Sequence, residues 1–153
     1  MESLKKIQKY HRIYEQLREL VVKTTDTNAR MATIAAVLHH KMKYYFWTGF
    51  YCLDKGQLIV RTYQGPVACP VLKKNTGVCW TGITKEKTII VPDVHRFPGH
   101  IACDYRSQSE IVIPIKNPDG EITGVLDVDS KLLNAFDETD AENLIKIISL
   151  LFI

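Results

Sequence analysis

Cys103 stands in the run Phe97-Pro98-Gly99-His100-Ile101-Ala102-Cys103-Asp104, with His95 upstream and Arg106 and Ser107-Gln108-Ser109-Glu110 behind it. A cysteine attacks as its thiolate, and neighbouring positive charge or a helix N-terminus stabilises that form. A turn, two histidines, an arginine and several carboxylates are unusual company for a core cysteine. Cys103 is therefore the first candidate nucleophile.

Three further cysteines need placing. Cys69 ends Gln64-Gly65-Pro66-Val67-Ala68-Cys69-Pro70, a glycine-proline loop of the kind in which a resolving thiol could move to meet a partner. A small apolar residue at a strand end explains it equally well. Cys79 falls in a short helix beside Trp80, where packing and chemistry are hard to separate. Cys52, between Tyr51 and Leu53 in an apolar strand, reads as core. No C-x-x-C pair is present, which argues against a structural zinc site, and no metal ligands are assigned.

Carboxylates supply the second half of the chemistry. Ser109 to Lys116 and Ile122 to Asp129 read as two strands joined by the turn Asn117-Pro118-Asp119-Gly120. Pairing Lys116 with Glu121, Ile113 with Gly124 and Ile111 with Leu126 matches opposite charges and stacks apolar residues. Glu110 then faces Asp127, with Asp129 two residues along on the same face. Three carboxyls so close cannot all ionise cheaply, so at least one should hold its proton near neutrality.

The remaining elements must present these groups. Leu4, Ile7, Ile13, Leu17, Leu20 and Val21 recur at helical spacing. Asp26 or Thr27 caps a second helix, striped by Met31, Ile34, Ala35 and Leu38 and ending near His40. Tyr45 to Leu53 and Gln57 to Tyr63 form a hairpin about Asp54-Lys55-Gly56. Trp47 and Tyr51, four apart, share one face of the first strand. Gly77 to Lys85 holds a short helix and Thr88 to Val91 a short strand, and Asp137 caps a last helix through Phe152. The order α-α-β-β-α-β-β-β-α gives an α+β fold: a central antiparallel sheet with N- and C-terminal helices packed against it. It divides into helices over residues 1–42 and sheet, loops and last helix over 44–153.

Bulk properties narrow the function classes. The chain has 153 residues, one domain by length, with 46% hydrophobic and 24% charged residues and a formal charge of +3. Lys5, Lys6, Lys9, Arg12, Arg18 and Lys23 crowd the first helix, but Glu15 and Glu19 interleave and no aromatic-basic pattern follows, so this reads as a solvated face and not a nucleic-acid or membrane surface. Neither a signal peptide nor an apolar run of 18 residues is seen, which leads to the expectation of a cytoplasmic protein with cysteines reduced at rest.

Six motifs resemble a known family. Gly65-Pro66-Val67-Ala68-Cys69, Gly77-Val78-Cys79, Pro92-Asp93-Val94-His95, the run from Phe97 to Asp104, Ser107-Gln108-Ser109-Glu110-Ile111-Val112-Ile113-Pro114 and Gly124-Val125-Leu126-Asp127-Val128-Asp129-Ser130 are similar to the free methionine-(R)-sulfoxide reductases, which are single GAF domains. The similarity runs from about Tyr44 to the C-terminus, and the first two helices fit the topology. It implies that Cys103 is the nucleophile, Cys69 the resolving thiol and Cys79 a third cysteine of secondary role. It also implies that Glu110, Asp127 and Asp129 hold the substrate and that Trp47 lines a methyl pocket, with Tyr51, Ile101 and Ala102 as neighbouring substrate contacts. One departure is Trp80, where the family usually has glycine.

The resemblance implies reduction of free L-methionine-(R)-sulfoxide through a Cys103 sulfenic acid and a Cys69–Cys103 disulfide, recycled by thioredoxin, with no cofactor. A GAF-type sensor that binds a small ligand, or a redox-sensing thiol switch without turnover, are the alternatives. The basic first helix and the tail Leu150-Leu151-Phe152-Ile153 suit a homodimer, and an intramolecular core explains the tail equally well.

Overall fold

A computed structural model describes residues 2–100 and 103–153. Helices α1 (Glu2–Val21) and α2 (Thr27–Lys41) lead into strands β1 (Trp47–Asp54), β2 (Gln57–Gln64) and β3 (Val71–Leu72). Helix α3 (Gly77–Lys85), strands β4 (Ile89–Val91), β5 (Ser109–Lys116) and β6 (Ile122–Ser130), and helix α4 (Glu138–Ile148) complete the order. The pattern is the expected α+β arrangement, with the two-residue β3 as an addition that its sequence, Val71-Leu72 beside Pro70, was too short to announce. The last helix stops at Ile148, and 149–152 tighten into a 3-10 turn.

The sheet is six-stranded and antiparallel, in the order β3-β2-β1-β6-β5-β4. Its two faces differ sharply. Phe50, Ile111, Ile113, Ile115, Leu126 and Val128 bury one face under α1, α2 and α4. Trp47, Tyr51, Val112 and Val125 lie on the other, against Val78, Cys79 and Trp80 of α3. Because side chains alternate along a strand, Glu110, Asp127 and Asp129 are forced onto this second face.

The β5–β6 register differs from the expected one by two residues over most of its length. Ile113 faces Leu126, Ile111 faces Val128 and Glu110 faces Asp129, while Lys116 meets Ile122 beyond a bulge at Ile115 and Lys116. Asn117 accounts for one residue of the shift, and the bulge at Ile115 and Lys116, where β6 passes over Thr123, for the other. The Asn117 side-chain oxygen accepts from the backbone N–H groups of Asp119 and Glu121, each at 3.0 Å, and its own N–H donates to the Glu121 carbonyl. Glu121 is thus drawn into the turn, and pairing with Lys116 begins at Ile122. An even shift keeps every side chain on its face, so the acid cluster survives with a different pairing.

Asp26 caps α2, accepting from the Ala29 N–H at 2.9 Å, and Met31, Ile34, Ala35 and Leu38 are buried as their spacing predicts. In α1 the buried stripe is Tyr10, Ile13, Leu17 and Val21, whereas Leu4 and Ile7 stay 55% and 46% exposed. Tyr10 enters the core because its hydroxyl has partners there: it donates to Asp140 at 2.6 Å and lies 2.6 Å from the Tyr45 hydroxyl. Asp140, fully buried, also accepts from the Tyr44 hydroxyl, from Lys6 at 2.8 Å and from the Asp137 N–H at 2.8 Å, closing a capping box at the start of α4. One carboxylate therefore ties α1, the approach to β1 and α4 together. Asp140→Ala should lower unfolding stability by about 2–4 kcal/mol, since it strands several donors and removes a cap; urea denaturation measures it, and a loss near zero would contradict the role.

Candidate active site

Two rows of residues cross the second face. Trp47 pairs with Asp129, which pairs with Glu110, which pairs with Val91; one step along, Gly49 pairs with Asp127, which pairs with Val112. The central strands therefore set an indole, three carboxyls and a gap side by side. The gap is Gly49. A Cβ there would stand 2.6 Å from the Trp47 ring and 2.4 Å from the Tyr63 Cβ, so the missing side chain lets Trp47 lie across the strand. Trp47 stacks between Tyr51 and Tyr63, at 5.8 and 5.2 Å between ring centroids. Trp47 and Tyr51 form the apolar wall, with Tyr63 stacked behind the indole.

The roof comes from α3 and two loops. Gly77 turns the chain at φ 87° into α3, whose first turn lowers Cys79 onto the carboxyls. Cys69 and Cys103, 34 residues apart, are joined as a disulfide with Cα atoms 5.7 Å apart. The Cys69 loop is pinned from below: the Trp47 indole N–H donates to the Pro66 carbonyl at 3.1 Å, and the Tyr51 hydroxyl to the Cys69 carbonyl at 3.0 Å. Trp80 donates to the Leu72 carbonyl at 3.4 Å, fastening β3 to α3 just beyond that loop. Together these groups bound a cleft, partly open to solvent, lined by Cys103, Cys69's neighbour Ala68, His100 and Ser107 on one side and by Cys79, Glu110, Asp127 and Asp129 at its floor.

The floor is electrostatically unusual. Glu110 and Asp127 are 5% and 6% exposed. Burial pushes the Glu110, Asp127 and Asp129 carboxyls above the usual carboxylate range, and their mutual repulsion adds to the shift of Glu110 and Asp129. Burial raises the Cys79 thiol too, reinforced by the same acids, so it is held as a neutral thiol at pH 7. Among the described residues, two polar atoms are enclosed with no hydrogen-bond partner, His100 Nε2 and Asp127 Oδ1, and buried acceptors are rarely left so. A ligand carrying hydrogen-bond donors and positive charge is what this floor lacks. Burial also lowers the His100 imidazole, helped by His95. Arg106 is already engaged: it grips Asp104 at 2.9 and 2.7 Å and holds that carboxyl down to about 2. Its guanidinium also lies 4.9 Å from the Phe46 ring, so its charge is largely answered away from Cys103.

The model of the GAF domain matches residues 10–151. The chain belongs to the GAF-domain family. GAF domain-containing protein A of Dictyostelium discoideum is 44% identical over 95% of this chain and 92% of its own length. The free methionine-R-sulfoxide reductase of Escherichia coli is 34% identical over 95% of this chain and 88% of its own. The Neisseria meningitidis free methionine-R-sulfoxide reductase, solved with its substrate, superposes with a TM-score of 0.89 at 41% identity, covering 93% of this chain and 85% of that one.

The GAF fold gathers nearly all the residues singled out from sequence. Cys69, Cys103, Cys79, Glu110, Asp127, Asp129, Trp47 and Tyr51 lie in or against one cleft. Ile101 and Ala102 lie outside the described residues. Cys52 faces the other way, half-buried against the helix-side core, and His95 is exposed outside the cleft. Sequence reasoning did not name Phe46, Thr76 or Ser107 among the lining residues. For Ser107, its place four residues after Cys103 was the one available signal.

Acids whose folded pKa is raised destabilise the fold as they ionise. Their contribution is favourable below the ordinary carboxyl range near pH 4 and is lost as pH rises through the raised values. Glu110→Gln and Asp127→Asn should therefore flatten the pH dependence of the urea midpoint above about pH 4 and gain a few degrees in Tm at pH 8. Mutant and parent curves running parallel would contradict the shifts.

Proposed function

We propose that this chain reduces free L-methionine-(R)-sulfoxide to L-methionine, with Cys103 as nucleophile and Cys69 as resolving thiol. The observation that carries the reading is the Cys69–Cys103 disulfide closing the rim of a cleft floored by two buried acids, Glu110 and Asp127, and the partly buried Asp129. Relatives of 34% and 41% identity that bear the reductase name support the substrate and its R configuration.

The reaction balances without a cofactor. Cys103 thiolate attacks the sulfoxide sulfur, while a floor carboxyl protonates the sulfoxide oxygen, which leaves the substrate poorly otherwise. The attack forms a transient bond between the Cys103 sulfur and the substrate sulfur. The protonated oxygen then passes to the Cys103 sulfur as that bond and the original S–O bond break; the substrate sulfur keeps the electron pair as methionine departs, and Cys103 is left as sulfenic acid. Cys69 then attacks the Cys103 sulfur, expelling water and forming the disulfide. An external dithiol, such as thioredoxin in the cytoplasm, restores both thiols by exchange. The Trp47–Tyr51 wall suits the S-methyl and side chain, and the acids suit the α-ammonium of a free amino acid. A peptide-bound residue lacks that ammonium and carries chain on both sides.

In a coupled assay of thioredoxin, thioredoxin reductase and NADPH, Cys103→Ser should abolish turnover. Cys69→Ser should release about one methionine per chain and then stall. More than a few per cent residual steady-state activity in Cys103→Ser, or normal recycling in Cys69→Ser, would reassign the roles. Asp127→Asn or Glu110→Gln should lose about 10²–10⁴-fold in rate, and parent activity should fall as pH rises through the raised carboxyl values. N-acetylation of the substrate should remove most of the rate; equal rates on free and acetylated forms would defeat ammonium capture.

A further inference from the structure

We propose that Cys79, Glu110 and Asp127 form a binding site for a soft divalent cation of the zinc class. The Cys79 sulfur and one oxygen from each carboxyl lie within 4.8 Å of one another. All three side chains are buried, at 4, 5 and 6% exposure, and they come from α3, β5 and β6. Tetrahedral zinc, with sulfur at about 2.3 Å and oxygen at about 2.1 Å, sets its sulfur and oxygen ligands about 3.6 Å apart. The donors thus need to draw inward by about an ångström, within the reach of side-chain torsions. A second observation points the same way: among the described residues, Asp127 Oδ1, in a side chain more than nine-tenths buried, has no hydrogen-bond partner.

The donor set names the metal class. Carboxylates alone favour magnesium or calcium, whereas a thiolate beside them selects zinc or cadmium. Three protein ligands leave the fourth position on the side of the cleft, an open coordination. On binding, the Cys79 S–H bond and any carboxyl O–H bond break, metal–sulfur and metal–oxygen bonds replace them, and the protons leave to solvent with no electron transferred. Affinity therefore rises with pH. If the reductase reading above is right, the cation occupies the seat of the substrate ammonium and inhibits competitively; only this consequence rests on that reading.

The test is cadmium chloride, then zinc chloride, titrated into the oxidised full-length chain, where Cys69 and Cys103 are tied up in their disulfide. The expected result is an ultraviolet cadmium–thiolate charge-transfer band saturating at one equivalent, reversed by zinc, with proton release measured by calorimetry in two buffers. Cys52→Ala should leave the band unchanged and Cys79→Ser should abolish it. Glu110→Gln, which keeps the thiol, should weaken binding at least tenfold and decides the matter if Cys79→Ser does not fold. A Cys79→Ser chain binding within threefold of the parent, an unweakened Glu110→Gln chain, or loss of the band in Cys52→Ala overturns the site. Neither substrate nor turnover enters the titration, so its failure leaves the reductase reading standing, and the converse holds.

Discussion

Three carboxyl groups crowded on one sheet face, two of them buried and the third partly so, are the constraint around which this molecule is arranged. Water would stabilise their charges; burial under α3 and beside the Cys69–Cys103 bridge takes much of it away and returns little in exchange. The floor is therefore protonated beyond the ordinary carboxyl range and short of donors. Such a site favours ligands that bring positive charge and hydrogen-bond donors, and it can lend a proton. Stability is given up locally for that chemistry, which is common where function sits.

The other face compensates. Asp140 is as buried as any floor acid, yet it is met by two tyrosine hydroxyls, a lysine and a backbone N–H. Arg30 is likewise buried but satisfied, donating to the Val21 and Thr24 carbonyls and to those of Leu151 and Ile153. The two layers thus treat buried charge in opposite ways: completed networks on the helix side, incomplete ones on the cleft side. That contrast is what separates a structural polar cluster from a reactive one.

Much of this was legible in the chain. The period of two along β5 and β6 placed Glu110, Asp127 and Asp129 on one face even though the pairing was read two residues out, because parity, not register, decides the face. The Asn117 side chain that moved the register acts through backbone contacts, for which the strand pattern has no signal. Local capping at Asp26 and the α2 stripe followed directly from residue order. The α1 stripe did not: Tyr10 earns its buried place from Asp140, 130 residues away, and no local period encodes so distant a partner. The pinning of the Cys69 loop by Trp47 and Tyr51 was hidden for the same reason.

The Cys69–Cys103 bridge spans 34 residues of sequence, enclosing β3, α3 and β4. Closing a loop of that size restricts the disordered chain by about 4 kcal/mol of conformational entropy in the polymer model. Reduction of this bond would therefore move the chain between two thermodynamic regimes, stapled and unstapled, with α3 over the acids belonging to the segment that is freed. Resistance to heat and to proteolysis becomes a property of the oxidation state as well as of the sequence.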